Sequence, residues 1–293
     1  MALIPIAHDR DMTMLAQALD RVLEAAARRD RERATAPLQR ALAGELRSAW
    51  RAQSRAVLAA LATIASEFAQ QTDERAVRTP AARLVEAEPP ASWDRLADAA
   101  LATTTARMVG SMRHYVQLAL DTGAGQVAAQ MGISGTFTLD NPAAVGYADD
   151  YAATRVTQIN DGTRQGIRRL VSEATADGWS YQRLAGAIRE TYAGFTEPKP
   201  QHHIRDRAEL VAVTEVGNAY EAGTSGAIRQ MESAGLTMEK AWLTVGDDLV
   251  SDACADNEAA GWIPATATFP SGDDRPLAHP ACRCTLQYRR APG

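Results

Sequence analysis

His279-Pro280-Ala281-Cys282-Arg283-Cys284 carries two of the chain's three cysteines, one residue apart. The third, Cys254, lies upstream in Asp252-Ala253-Cys254-Ala255-Asp256-Asn257. Three thiols and an imidazole in one C-terminal segment form the donor set that tetrahedral zinc uses. The spacing is unusual, because zinc modules more often carry Cys-x-x-Cys knuckles on both sides. A Cys-x-Cys pair ligates one metal only if the backbone between the sulfurs turns sharply. Pro280 favours that turn by fixing φ and ending any helix before the cluster. Two further readings stand beside the metal. Cys282 to Tyr288 reads as a strand, on which Cys282 and Cys284 would be small buried hydrophobes. Cys254 could instead pair with one of them as a disulfide, leaving an odd thiol.

Around this segment the C-terminal third mixes element types. Arg207 to Met231 has helical spacing and contains Thr214-Glu215-Val216-Gly217-Asn218-Ala219-Tyr220. Lys240 to Val245 reads as a strand, rich in β-branched and aromatic residues. Gly261 to Asp274 is punctuated by glycine, proline and aspartate, so short strands at most are expected there. Cys282 to Arg289 is the last strand. The sum is a small α+β module with a loop-heavy end, where a structural metal adds most to a thin core.

Everything before it reads as helix. Between Asp11 and Gln71, Met14, Leu15, Leu19, Val22 and Leu23 form one apolar stripe. Leu46, Val57, Leu58, Leu61 and Ile64 continue it in a second segment. Arginines 28, 29, 31, 33, 47, 51 and 55 lie on the polar faces, where they suit either solvent or phosphate. After Glu88-Pro89-Pro90, Ser92 is the expected N-cap of a helix from Trp93 to Leu120, ended by Asp121-Thr122-Gly123. A short helix then spans Ala124 to Met131, followed by an extended piece, Thr136 to Leu139. Asn141-Pro142 opens the next helix, to Leu170, with Val145, Ala152, Val156, Ile159, Ile167 and Leu170 as core. Its Gln158, Asn160, Thr163 and Arg164 read as an exposed surface. Ser180 should cap Tyr181 to Thr191, and Gly194 to Gln201 is the best candidate hinge. His202 and His203 read as surface residues, since neighbours on a regular helix cannot share one metal. The fold class expected is a mainly α N-terminal region followed by a small α+β module. The expected division is 1–140, a helical connector over 141–200, and 201–293.

The 293 residues carry a net charge of −5, with 46% hydrophobic and 5% aromatic content. That acidic balance gives no general drive toward nucleic acid or anionic membrane. Only Lys199 and Lys240 are lysines among the 31 basic residues. No apolar run reaches the length of a membrane span, and the N-terminus lacks the pattern of a signal peptide. Synthesis in the cytosol is therefore expected.

The order of motifs carries a resemblance. A helix with Thr214-Glu215-x-x-Asn218-Ala219 precedes a strand with Lys240-Ala241-Trp242-Leu243. An Asp247-Asp248 turn leads to Asp252-Ala253-Cys254, and Arg275-Pro276 runs into His279-Pro280-x-Cys282-Arg283-Cys284. This pattern resembles the minor head, or head morphogenesis, proteins of tailed bacteriophages, with their phage Mu F-like domain, over roughly residues 150 to 290. The resemblance implies a low-copy virion component, made in the host cytoplasm and taken into the procapsid interior near the portal. It implies portal protein and major capsid or scaffold proteins as partners, and local contact with packaged DNA through arginine-bearing faces. Thr214, Glu215, Asn218, Trp242, Asp248, Asp252, Pro280 and Arg283 are its motif positions. Many members carry a second cysteine shortly after the first, where this chain has Asn257. A metal would then rest on Cys254, His279, Cys282 and Cys284, as one structural zinc.

The rival class is a zinc-dependent hydrolase or toxin-like enzyme, with an open metal position and Asp252, Asp256 or Glu258 as base. The sequence shows no His-Glu-x-x-His, nucleophile elbow or phosphate-binding glycine loop. Glu215 reads as a hydrogen-bonding residue of the fold, and no catalytic residue is assigned.

Overall fold

The computed structural model describes residues 8–71, 91–133, 142–196 and 206–292. Six helices and three strands follow in order. They are α1 (His8–Gln71), α2 (Ala91–Gln130), α3 (Pro142–Ala176), α4 (Tyr181–Thr196), α5 (Arg207–Ser233), β1 (Met238–Leu243), α6 (Asp252–Ala259), β2 (Ile263–Pro264) and β3 (Thr285–Arg290). The mainly α region followed by a small α+β module is the architecture observed. The extended piece at Thr136–Leu139 and the histidines 202 and 203 lie outside the described residues, as does the hinge beyond Thr196.

Two compact units divide the chain. The first takes Gln39–Gln117 and Asn141–Ala212. It is a helical core in which Leu42, Leu46, Trp50, Val57 and Leu61 of α1 are buried at helical spacing. Ala152, Val156, Ile159, Ile167 and Val171 do the same on α3. Asn160 and Thr163, expected on a surface, are buried in this core. The reason is a polar network among three helices. Gln53 Nε2 donates to Thr104 Oγ1 at 2.7 Å and to Asn160 Oδ1 at 3.3 Å. Asn160 Nδ2 donates to Thr105 Oγ1 at 3.0 Å. Buried amides are tolerated where neighbours satisfy them, and here the partners come from elements distant in sequence. Arg164 pairs with Asp98 nearby. Ser180 caps α4 as expected, its Oγ accepting from Arg183 N at 3.3 Å. Asp206 caps α5 through Glu209 N and binds Arg47 at 2.9 Å.

The second unit takes Met1–Leu38, Leu118–Asp140 and Val213–Gly293. Its sheet has the order β2-β1-β3 and is antiparallel throughout, with Lys240 opposite Ile263 and Tyr288, and Leu243 opposite Thr285. Ser225 Oγ of α5 lies 3.0 Å from the Tyr288 hydroxyl. Arg31 of α1 reaches the fully buried Glu221 of α5 at 3.1 Å. Met14, Leu15 and Leu19 are 68%, 64% and 56% exposed, so the first apolar stripe of α1 is not part of the buried core.

Several helix boundaries differ from the sequence reading, among them the ends of α3 at Ala176 and α4 at Thr196. The first two segments are one helix, α1, running unbroken through Pro37. Ala91 starts α2 one residue before Ser92, its expected cap. Gly123 does not end a helix, because α2 continues to Gln130. A Cβ there would lie 2.2 Å from the Tyr220 carbonyl oxygen, so the glycine serves close helix packing and not termination.

Candidate metal centre

The cysteines sit on two elements. Cys254 is in the first turn of α6, which Ser251 caps by accepting the Cys254 amide at 3.3 Å. Cys282 and Cys284 lie in the loop before β3, which begins only at Thr285, so the strand expected from Cys282 is shorter. Ala281 adopts φ 61, a left-handed conformation that supplies the sharp turn. All three thiols are buried and free, and no disulfide joins them. Their sulfurs lie within 4.8 Å of one another, with Cys254 and Cys282 at 3.8 Å. A disulfide would need about 2.05 Å.

His279, the fourth residue expected at the site, approaches Cys254. Its Nε2 lies 3.6 Å from Cys254 Sγ, at the edge of the sulfur cluster. Its Nδ1 lies 2.9 Å from the Pro280 carbonyl oxygen. A carbonyl only accepts, so Nδ1 carries the proton and Nε2 keeps its lone pair on the thiol side. This is the tautomer a metal requires.

The protons are unevenly held among the thiols. Hydrogen bonding from the Cys284 side chain and backbone pulls the Cys282 thiol down to about 5, against the effect of burial. The same bond pushes Cys284 up, and burial pushes Cys254 up. The buried Trp242 indole N–H lacks a conventional partner, and it favours the thiolate of Cys284. One thiolate, on Cys282, is favoured, while its two neighbours hold their protons.

These dimensions fit zinc. Bonds of about 2.3 Å to sulfur and 2.0 Å to nitrogen in a tetrahedron place sulfurs about 3.8 Å apart, and nitrogen about 3.6 Å from sulfur. Both distances occur here. The three thiols are close enough together to hold a metal ion, and His279 stands beside Cys254 as the candidate fourth ligand.

The remaining motif positions surround the cluster. Thr214 Oγ1 accepts the Ala281 amide at 3.0 Å. Arg283 pairs with Asp247, not with the exposed Asp248. Pro280 is exposed and contributes its carbonyl, and Asp252 is an exposed residue of the first turn of α6. Glu215 is buried on α5, and Asn218 is half-buried beside it.

This segment contains the match that decides the family. The profile described as "Phage Mu protein F like protein" covers residues 165–287. Residues 165–287 belong to the phage Mu protein F-like family. Comparison with curated proteins and with solved structures gives no match. All four candidate ligands of this Mu F-like chain, and every motif position, fall inside the matched span.

Two residues acquire roles that the sequence reading did not give them. Asn257 is fully buried on α6, its Oδ1 accepting from Ser271 N at 3.0 Å and its Nδ2 donating to Ser271 Oγ at 2.8 Å. Asn257, at the position where the resemblance implied a second cysteine, fastens a loop instead. Glu258, considered as a base, accepts from Thr244 N at 2.9 Å, Thr244 Oγ1 at 2.7 Å and Arg28 at 3.3 Å. A carboxylate so occupied is a clamp. Asp252 and Asp256 point to solvent. No described helix is long and apolar enough to cross a membrane.

Proposed function

We propose that this Mu F-like protein is a minor head protein of a tailed phage, a low-copy component held at the portal on the procapsid interior. The observation that carries the reading is the family match over 165–287, with the three-cysteine cluster and His279 beside Cys254 inside it. A virion location follows from that role. The cluster binds one structural zinc through Cys254, His279, Cys282 and Cys284, joining α6 to the loop before β3. Zinc would supply crosslinking to a module whose sheet has only three strands. A closed shell of four protein donors favours structure over hydrolysis.

DNA contact, on this reading, is local. Arg28, Arg31 and Arg47 are engaged with Glu258, Glu221 and Asp206. The exposed Arg29, Arg33, Arg40, Arg51 and Arg55 of α1 remain for phosphate. Co-sedimentation of the purified protein with portal protein, together with mass spectrometry of virions, tests the assignment. Binding to portal and presence in virions is the expected result. Absence from both overturns it.

A further inference from the structure

We infer that Thr214 is the positioning residue of the thiolate centre, holding the left-handed turn that delivers Cys282 to Cys254. The inference takes its ligand from the zinc reading above. Its geometry comes from α5, an element that contributes no ligand.

Ala281 is the reason such a residue is needed. A non-glycine residue at φ 61 is in a disfavoured conformation and persists only where its surroundings over-determine it. Two hydrogen bonds bracket the turn. Thr214 Oγ1 accepts the Ala281 amide at 3.0 Å, and the Cys282 amide donates to the His279 carbonyl at 3.2 Å. Only the first reaches outside the loop, to a residue 67 positions upstream. Threonine suits the task, since its β-branched side chain is stiff at χ1 and aims the hydroxyl with little entropy to lose.

The other anchors act further along. Arg283 is tied to Asp247, and the Trp242 indole N–H acts on the Cys284 sulfur. Those contacts hold the Cys284 side of the loop. Thr214 holds the side that carries Cys282, the sulfur 3.8 Å from Cys254. Without the hydroxyl, Ala281 relaxes toward negative φ and Cys282 swings from the cluster.

The test uses the full-length protein as wild type, Thr214→Val and Thr214→Ser. Three measurements are made: zinc release to a chromophoric chelator, the cobalt(II) absorption spectrum, and thiol labelling of the reduced metal-free protein mapped by mass spectrometry. Thr214→Val should lose zinc affinity by about ten- to a hundred-fold, as outer-shell changes do. Its cobalt spectrum should shift and its Cys282 should label faster, while Thr214→Ser restores all three. Thr214→Val behaving as wild type in release and labelling overturns the inference. If the wild type binds no zinc, yet Thr214→Val still speeds Cys282 labelling, the zinc reading falls and the positioning role stands.

Discussion

Gly123 of α2 and Gly223 of α5 lie on the two sides of one helix crossing. A methyl on Gly123 would stand 2.2 Å from the Tyr220 carbonyl oxygen, and one on Gly223 would stand 2.0 Å from the Leu120 carbonyl oxygen. Each glycine therefore lets the other helix's backbone come close, and neither can accept a side chain without moving it.

Gly123→Ala and Gly223→Ala should each destabilise the protein by about 1–3 kcal/mol in chemical denaturation. Helix propensity alone predicts the opposite sign, a gain of up to about 1 kcal/mol. A stabilised variant would mean that the crossing is looser than described.

Cys282→Ser should reduce zinc from about one per chain to a small fraction, and lower the unfolding temperature. Chelator should then have no further effect on the variant's melt while lowering that of the wild type. Equal melts for the wild type with and without chelator would reduce the cysteines to core packing.

Glu221 gives the protein a pH dependence. Burial pushes its carboxyl from 4.5 to about 7, against the pull of Arg31 and hydrogen bonds from Thr285 and the Leu286 backbone. Asp30, Tyr220 and Tyr288 are its titratable neighbours. Because the folded value is the higher, the folded state keeps a proton that the unfolded state has released. Stability from this group is full below pH 4.5, falls as pH rises through the window and is lost above about 7. Denaturation series at pH 5, 6, 7 and 8 should show this decline, on the order of a few kcal/mol in all. Glu221→Gln should flatten it.

Asn257→Ala should cost about 2 kcal/mol by removing both hydrogen bonds to Ser271 from a fully buried amide. Zinc stoichiometry should not change. A fall in bound zinc would assign Asn257 to the metal and not to the loop.

Legibility followed the range of the forces involved. The helix start at Pro142, the Ser180 cap and the β1 strand were readable because each depends on neighbours within a few residues. The cysteine cluster was readable because soft donors are scarce in this chain. Gly123 was misread as a stop, since a glycine that ends a helix and one that admits a neighbouring backbone look alike without Tyr220 in view. Asn160 and Thr163 were misread as surface, because their polarity is answered by Gln53, Thr105 and the helix's own carbonyls only after folding.

By itself, then, the sequence determined the helical periodicity, the mainly α region followed by a small α+β module, and which side chains could serve as donors. Those properties are set by local spacing and side-chain chemistry. Only the tertiary structure decided that Cys254 meets Cys282, that no disulfide joins them, and that the Cys-x-Cys segment is a turn and not the start of a strand. The deciding contact is Thr214 to Ala281, between residues far apart in the chain. No local propensity favours alanine at φ 61, so that conformation exists only because a distant helix holds it there.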